Sequence, residues 1–222
     1  MIRTIVITGA TGALGSLTAK TFAARGHSLA LLARDSNQLD SLARELTLPS
    51  ERLFTSVVDL RDAQAVHSTG EAVFAKFGGV HGLIHLVGGW TGGKTIPETS
   101  MDDFNSMFGQ HAQTTFHLFQ TFMPLLEKSK WGRVITVSPS TVPNPLAKRG
   151  VYTAAKAAQE SLMLTLAAEL KESNVTANII QVKAIDVENK GTGTTPEEIV
   201  AAMAYLFSDE AGKITGARLP LY

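Results

Sequence analysis

The feature that most constrains this chain is a cluster of glycines near its start. The stretch Val6–Ser16 reads VITGATGALGS and places Gly9, Gly12 and Gly15 within seven residues. Upstream, Ile2 to Ile7 is apolar and β-branched, as a buried parallel strand should be. Downstream, Leu14, Leu17, Thr18, Phe22 and Ala23 recur at helical spacing. The glycines therefore fall in a strand-to-helix turn, where positive φ or close backbone approach excludes a Cβ. A helix beginning there presents free N–H groups and a positive dipole end, which suit a phosphate. A tight turn that binds nothing has the same local signature, so the rest of the chain must decide.

Strand-like runs alternate with longer helical patterns throughout. The expected strands are 2–8, 28–33, 53–58, 82–87, 132–138, 175–182 and 214–219. The expected helices are 13–25, 36–46, 62–77, 101–128, 150–172 and 196–208. Gly26 closes the first helix, and Thr195-Pro196-Glu197-Glu198 opens the last with a cap, proline at its first position and acids in its first turn. Such alternation makes βαβ units and an α/β fold: a doubly wound, Rossmann-type parallel sheet of about seven strands with helices on both faces. No repeat or linker divides it, so residues 1–222 are expected to form a single domain. Sheets of this kind bind ligands at the carboxyl ends of the strands, where the strand order reverses.

Charge and cysteine content narrow the function. Twenty basic and twenty acidic side chains leave no net charge, which argues against nucleic acid or an anionic membrane as partner. There are no cysteines, so disulfides, thiolate metal sites and a cysteine nucleophile are excluded. His27, His67, His81 and His117 show no ligand spacing, and no metal is expected. No apolar run approaches the ~20 residues of a membrane span. The first strand begins at Ile2 and leaves no room for a signal peptide, so a cytoplasmic location is expected.

The second informative stretch is VYTAAKAAQESLMLTLAAEL, where Tyr152 and Lys156 stand four apart on one helix face. A phenol is a poor acid or base near neutrality, and a nearby ammonium makes it a better one by lowering its pKa. TGxxxGxG at Thr8–Gly15 together with this YxxxK resembles the short-chain dehydrogenase/reductase family over almost the whole chain. Asp59 in VVDLRD and Gly88 in LIHLVGG are also similar. The resemblance implies an oxidoreductase in which Tyr152 donates the proton and Lys156 holds the nicotinamide ribose. It further implies a nicotinamide nucleotide held by Gly9, Thr11, Gly12, Ala13, Leu14, Gly15, Arg34, Asp59, Leu60, Val87, Gly88, Gly89 and Ile185, with Asp59 at the adenine amine. At the end of the second strand, the position where an acid would select NAD is Ala33, followed by Arg34, which favours NADP over NAD. Asp35 next door pulls the other way.

The chain also departs from the family pattern. The family serine, thirteen residues before the tyrosine, is replaced by Pro139, flanked by Ser138 and Ser140. Ser140, in the expected loop, is the preferred substitute, and turn capping by either serine is the alternative. The family asparagine aligns with His111, whose ordinary pKa would suit a proton relay and which could equally be a packed helix residue. Val182-Lys183 replaces a Pro-Gly, and the substrate lid shrinks to DVENKGTGT. The loop GGWTGGKTIP is similar to that of dihydropteridine reductases, a branch that keeps Tyr and Lys without the usual Ser and Asn, although that branch favours NADH. Trp90 there is a candidate for stacking on a flat substrate, or else for packing. The expected function is NAD(P)H-dependent reduction of a small carbonyl or quinonoid molecule. The alternative is a catalytically weak nucleotide sensor. Helix 150–172 is apolar nearly all round, and in this family that helix often forms a subunit interface, so a homodimer or homotetramer is expected.

Overall fold

The computed structural model describes residues 2–222. In chain order the elements are β1 (Thr4–Thr8), α1 (Ala13–Ala24), β2 (Ser28–Ala33), α2 (Ser36–Leu46), β3 (Leu53–Val57), α3 (Ala63–Phe77) and β4 (Gly82–His85). There follow α4 (Met101–Phe108), α5 (Thr114–Lys128), β5 (Gly132–Pro139), α6 (Gly150–Glu169), β6 (Val175–Val182), α7 (Pro196–Leu206) and β7 (Arg218–Pro220). The seven strands form one sheet in the order β3-β2-β1-β4-β5-β6-β7. Every pairing is parallel.

Alternating strand residues feed two apolar layers. Ile5, Ile7, Leu29, Leu31, Ile84 and Ile135 turn toward α1, α2 and α7. Val6, Ala30, Leu32, Leu83, Val134 and Ile179 turn toward α3, α5 and α6. Both faces of the central strands are thus buried, which is why they are apolar runs rather than alternating ones. The order reverses at β1, whose neighbours are β2 and β4, and the paired carboxyl ends Thr8 and His85 lie there.

Two expectations need correction. The last strand is Arg218–Pro220 rather than 214–219. Asn178 on β6 holds the preceding residues in a turn: its Nδ2 donates to the Ile214 carbonyl at 2.7 Å, and its Oδ1 accepts from the Ala217 amide at 3.0 Å. Gly216 inside that turn has φ +70°. The long helix 101–128 is interrupted by a π-helical segment at Gly109–Gln113. That wider turn carries His111, and such insertions recur at functional sites. Other boundaries shift by a few residues. The first strand starts at Thr4 and the helix from Gly150 stops at Glu169.

Candidate active site

A cleft opens where the strand order reverses. Its two lobes share Gly9, Gly12, Leu86, Val87 and Gly88. The glycine turn shapes the shared floor. Gly9 has φ +67°, and a Cβ there would lie 3.0 Å from the Leu86 carbonyl. A Cβ on Gly15 would sit 2.1 Å from the Gly9 carbonyl oxygen, so only glycine lets α1 start this close to β1. Gly12 caps α1 without a side chain, and no acid stands in the first turn. The N-terminus of α1, Gly12 to Gly15, therefore lines the cleft with amides that no side chain satisfies.

The first lobe gathers Thr11, Ala33, Arg34, Asp59 and Leu60, all expected there, with Asp35, Gln38, Val58, Arg61, Gln110 and Thr114. Asp35 caps α2 by accepting from the Gln38 amide at 3.0 Å. Asp59 is chelated by Arg61, with Nη2 2.6 Å from Oδ2. Those hydrogen bonds from the guanidinium and the Arg61 amide hold the Asp59 carboxyl down at about 2.

The second lobe brings Ala13, Leu14, Gly89, His111, Ser138, Tyr152, Lys156 and Ile185 together. Lys156 is buried, and its Nζ donates to the Val137 carbonyl and to Gln159 Oε1, each at 2.9 Å. Burial lowers its pKa to about 8, against the raising effect of Glu160. Tyr152 does not behave as the YxxxK spacing suggests. Burial raises its pKa, and the cation that opposes this is Arg149, while Lys156 makes its bonds elsewhere. At neutral pH Tyr152 is a protonated phenol, fit to donate.

His111 is wholly buried, with Nε2 3.0 Å from the Gly89 carbonyl. That partner only accepts, so Nε2 carries the proton and Nδ1 is a bare acceptor, buried without a partner. Its ring meets the Tyr152 ring edge-on at 5.6 Å. Burial first, then Lys156, drives its pKa to about 3. His111 is therefore a neutral imidazole at pH 7, packed and hydrogen-bonded in its helix. Ser138 is 1% exposed, and its Oγ likewise lacks a partner. Ser140, the expected substitute, does not line the cleft, because β5 runs on through Pro139 and the serine facing the lobe comes before the proline.

Trp90 also falls outside the lining of both lobes. It is 58% exposed and folds over Gly92, where a Cβ would lie 2.6 Å from the indole. The short lid lines the rim instead, through Ala184, Ile185 and Val187. Asp186 accepts from the amides of Lys190 and Thr192, each at 3.0 Å. The Asp186 and Thr194 amides donate to the Thr194 and Ala184 carbonyls at 2.9 Å.

One residue to which the sequence assigns no role is His85. It is fully buried in the second lobe, with Nδ1 2.7 Å from Thr8 Oγ1 and Nε2 3.4 Å from Thr114 Oγ1. No local pattern announces it, because its partners lie far away in sequence. Gln38 and Thr114 were within reach of sequence reasoning, being the helix positions that follow Asp35 and His111. Among the described residues there is no cluster able to hold a metal, and no helix is long and apolar enough to cross a membrane.

A parallel, doubly wound sheet whose switch-point cleft joins a glycine turn to a Tyr–Lys helix defines a nucleotide-dependent oxidoreductase. The family model for short chain dehydrogenase matches residues 3–197, and the chain belongs to that family. It is 27% identical to the 7alpha-hydroxysteroid dehydrogenase of Escherichia coli, across 86% of this chain and 74% of that protein. It is 28% identical to the meso-2,3-butanediol dehydrogenase of Serratia marcescens, across 99% and 92%. The 3-oxoacyl-(acyl-carrier-protein) reductase of Salmonella typhimurium is 26% identical, across 96% and 93%. Among solved structures, an NADPH-bound short chain oxidoreductase of Pseudomonas aeruginosa with an atypical catalytic center superposes with a TM-score of 0.91 at 22% identity, across 99% and 95%. A short chain dehydrogenase of Bacillus anthracis gives 0.90 at 23%, across 99% and 94%.

Proposed function

We propose that this chain is an NADPH-dependent reductase of a small carbonyl or quinonoid acceptor, with Tyr152 as proton donor. The observation that carries the reading is the company Tyr152 keeps. Ser138 and His111, each with a buried polar atom that lacks a partner, line the same lobe as the phenol and Lys156. Buried polar atoms are rarely left unsatisfied, so two in one cleft point to groups that a ligand completes. Ser138 takes the part first expected of Ser140, holding the acceptor's oxygen or nitrogen while Tyr152 gives it a proton. Lys156 offers its remaining N–H to the cofactor's ribose. A nicotinamide nucleotide supplies the hydride when bound.

The cleft fits that cofactor. The uncapped N-terminus of α1 suits a pyrophosphate. Asp59, in the first lobe, would be the acceptor for an adenine amine. Ala33 leaves room for a 2′-phosphate and Arg34, in the same lobe, would clamp it, while one oxygen of Asp35, the acid that would favour NAD, is taken by the Gln38 amide. The NADPH-bound neighbour is consistent with this choice. The likeness to dihydropteridine reductases is retained for the acceptor class only, since Trp90 stands outside the cleft. Phe104 and Phe116, exposed on α4 and α5, and the small residues Ala154, Ala157 and Ser161 along α6 form the surface for a second copy.

The test is NADPH oxidation against an ortho-quinone, a quinonoid dihydropterin, an activated ketone and a simple ketone, with NADH in parallel. Turnover on an activated acceptor, lost in Tyr152→Phe with NADPH affinity intact, is the expected result. Unchanged turnover in that variant removes Tyr152 from the chemistry. Tight NADPH binding with no turnover on any acceptor favours the sensor.

A further inference from the structure

Behind the cleft, α6 carries a buried side-chain chain that reaches the π segment. Gln159, one turn beyond Lys156, is wholly buried, as is Thr115. Lys156 Nζ donates to Gln159 Oε1 at 2.9 Å. Gln159 Nε2 donates to Thr115 Oγ1 at 2.8 Å, and the Thr115 hydroxyl donates to the His111 carbonyl at 2.6 Å. The order of donors is fixed by chemistry. An ammonium only donates, so the amide oxygen must face it, and the amide NH2 is left for a hydroxyl whose own proton is already committed. With the Val137 carbonyl as second anchor, two of the three ammonium protons point inward. The third is left for the second lobe, which Lys156 lines.

We propose that Gln159 is a positioning residue: through Thr115 it ties the Lys156 ammonium to the backbone of the segment that presents His111, and so aims the free N–H of Lys156 into the cleft. The inference rests on the reductase reading only for what that N–H does. The other groups around Lys156 do not substitute for this tie. Glu160, on the same helix, is engaged by Gln181 Nε2 at 3.1 Å and by Arg218 Nε at 2.6 Å. His85 on β4 and His111 are both held neutral by burial, and Tyr152 remains a protonated phenol. The ammonium is thus steadied by two oxygen dipoles and not by a touching carboxylate.

The test is a direct titration of Lys156 by NMR in lysine-labelled protein without cofactor, its signal assigned by loss in Lys156→Arg. Gln159→Leu removes an acceptor from the charged form, so the midpoint should fall by about one pH unit or more. Gln159→Glu keeps the shape and adds a negative charge, so the midpoint should rise by about as much. The alkaline limb of kcat/KM should move with it in each variant. If Gln159→Leu does not fold, the rise in Gln159→Glu decides alone. Midpoints unchanged in a folded Gln159→Glu, or moving the same way in both variants, overturn the proposal. Because the titration needs no turnover, absence of reductase activity would leave this result standing.

Discussion

His85 should make the protein acid-sensitive in a way that one substitution removes. Thr114 Oγ1 donates to the Gln110 carbonyl at 2.7 Å, so it can only accept from His85 Nε2. Thr8 Oγ1 accepts from the Leu86 amide at 3.3 Å, and His85 Nδ1, at 2.7 Å, is the acceptor within reach of its own proton, so it donates there. The imidazole is therefore neutral, and a second proton would set a donor against a donor. Burial first, then Lys156 and His111, puts its pKa at about 3. Because the folded pKa lies below the unfolded one, the stabilisation is complete above about pH 6.5 and drains away as pH falls toward the folded value. Between pH 7 and pH 4 the unfolded chain takes up this proton and the folded chain does not, which costs about 3 kcal/mol at ~1.4 kcal/mol per decade. His85→Asn keeps a short polar side chain between the two threonines and cannot titrate. Urea unfolding at pH 7, 5 and 4 should show its stability falling by about 3 kcal/mol less than that of the parent. His27, lowered to about 4 chiefly by burial, and His81 add the same slope to both proteins. Parallel pH curves would refute the neutral, buried imidazole.

Three other outcomes follow, two from the cleft and one from the surface. Arg34→Ala should weaken NADPH binding by roughly tenfold to a hundredfold while NADH binding holds, as loss of a charge-assisted phosphate contact demands; equal losses by fluorescence titration would remove the clamp. Ser138→Ala should lower kcat/KM by roughly tenfold to a hundredfold, and Ser140→Ala should leave it near the parent value; steady-state kinetics showing the reverse would return the role to the loop. Phe116→Asp should convert a dimer into monomer by light scattering with the thermal transition of the fold retained; a parent that is already monomeric would dismiss that surface.

Much of this architecture was legible because it is periodic. Strand, glycine turn and helix at the start, and Tyr152–Lys156 on one helix face, depend on neighbours in sequence, and the structure keeps them. What was not legible depends on partners far away. The last strand moved because Asn178 on β6 grips residues 214–217. Ser138 faces the cleft in place of Ser140 because the β5 ladder continues through Pro139, paired with Val182. Lys156 looked like a modifier of the Tyr152 phenol from spacing alone; its ammonium is turned away by a carbonyl on β5 and an amide one turn on. Asp35 reads as an acid near the ribose, yet its spacing to Gln38 is that of a helix cap, and one of its oxygens takes that amide.

The short lid sets how binding proceeds. Its carboxylate and backbone bonds, all within residues 184–194, knit the segment into a closed turn. A lid that orders around its substrate loses conformational entropy on every binding event, at roughly 1–2 kcal/mol per residue fixed. Here that loss was incurred during folding. Association should therefore be a single, fast phase, selectivity should come from the walls of the cleft rather than from closure, and both faces of a bound acceptor need not be shielded for it to be held.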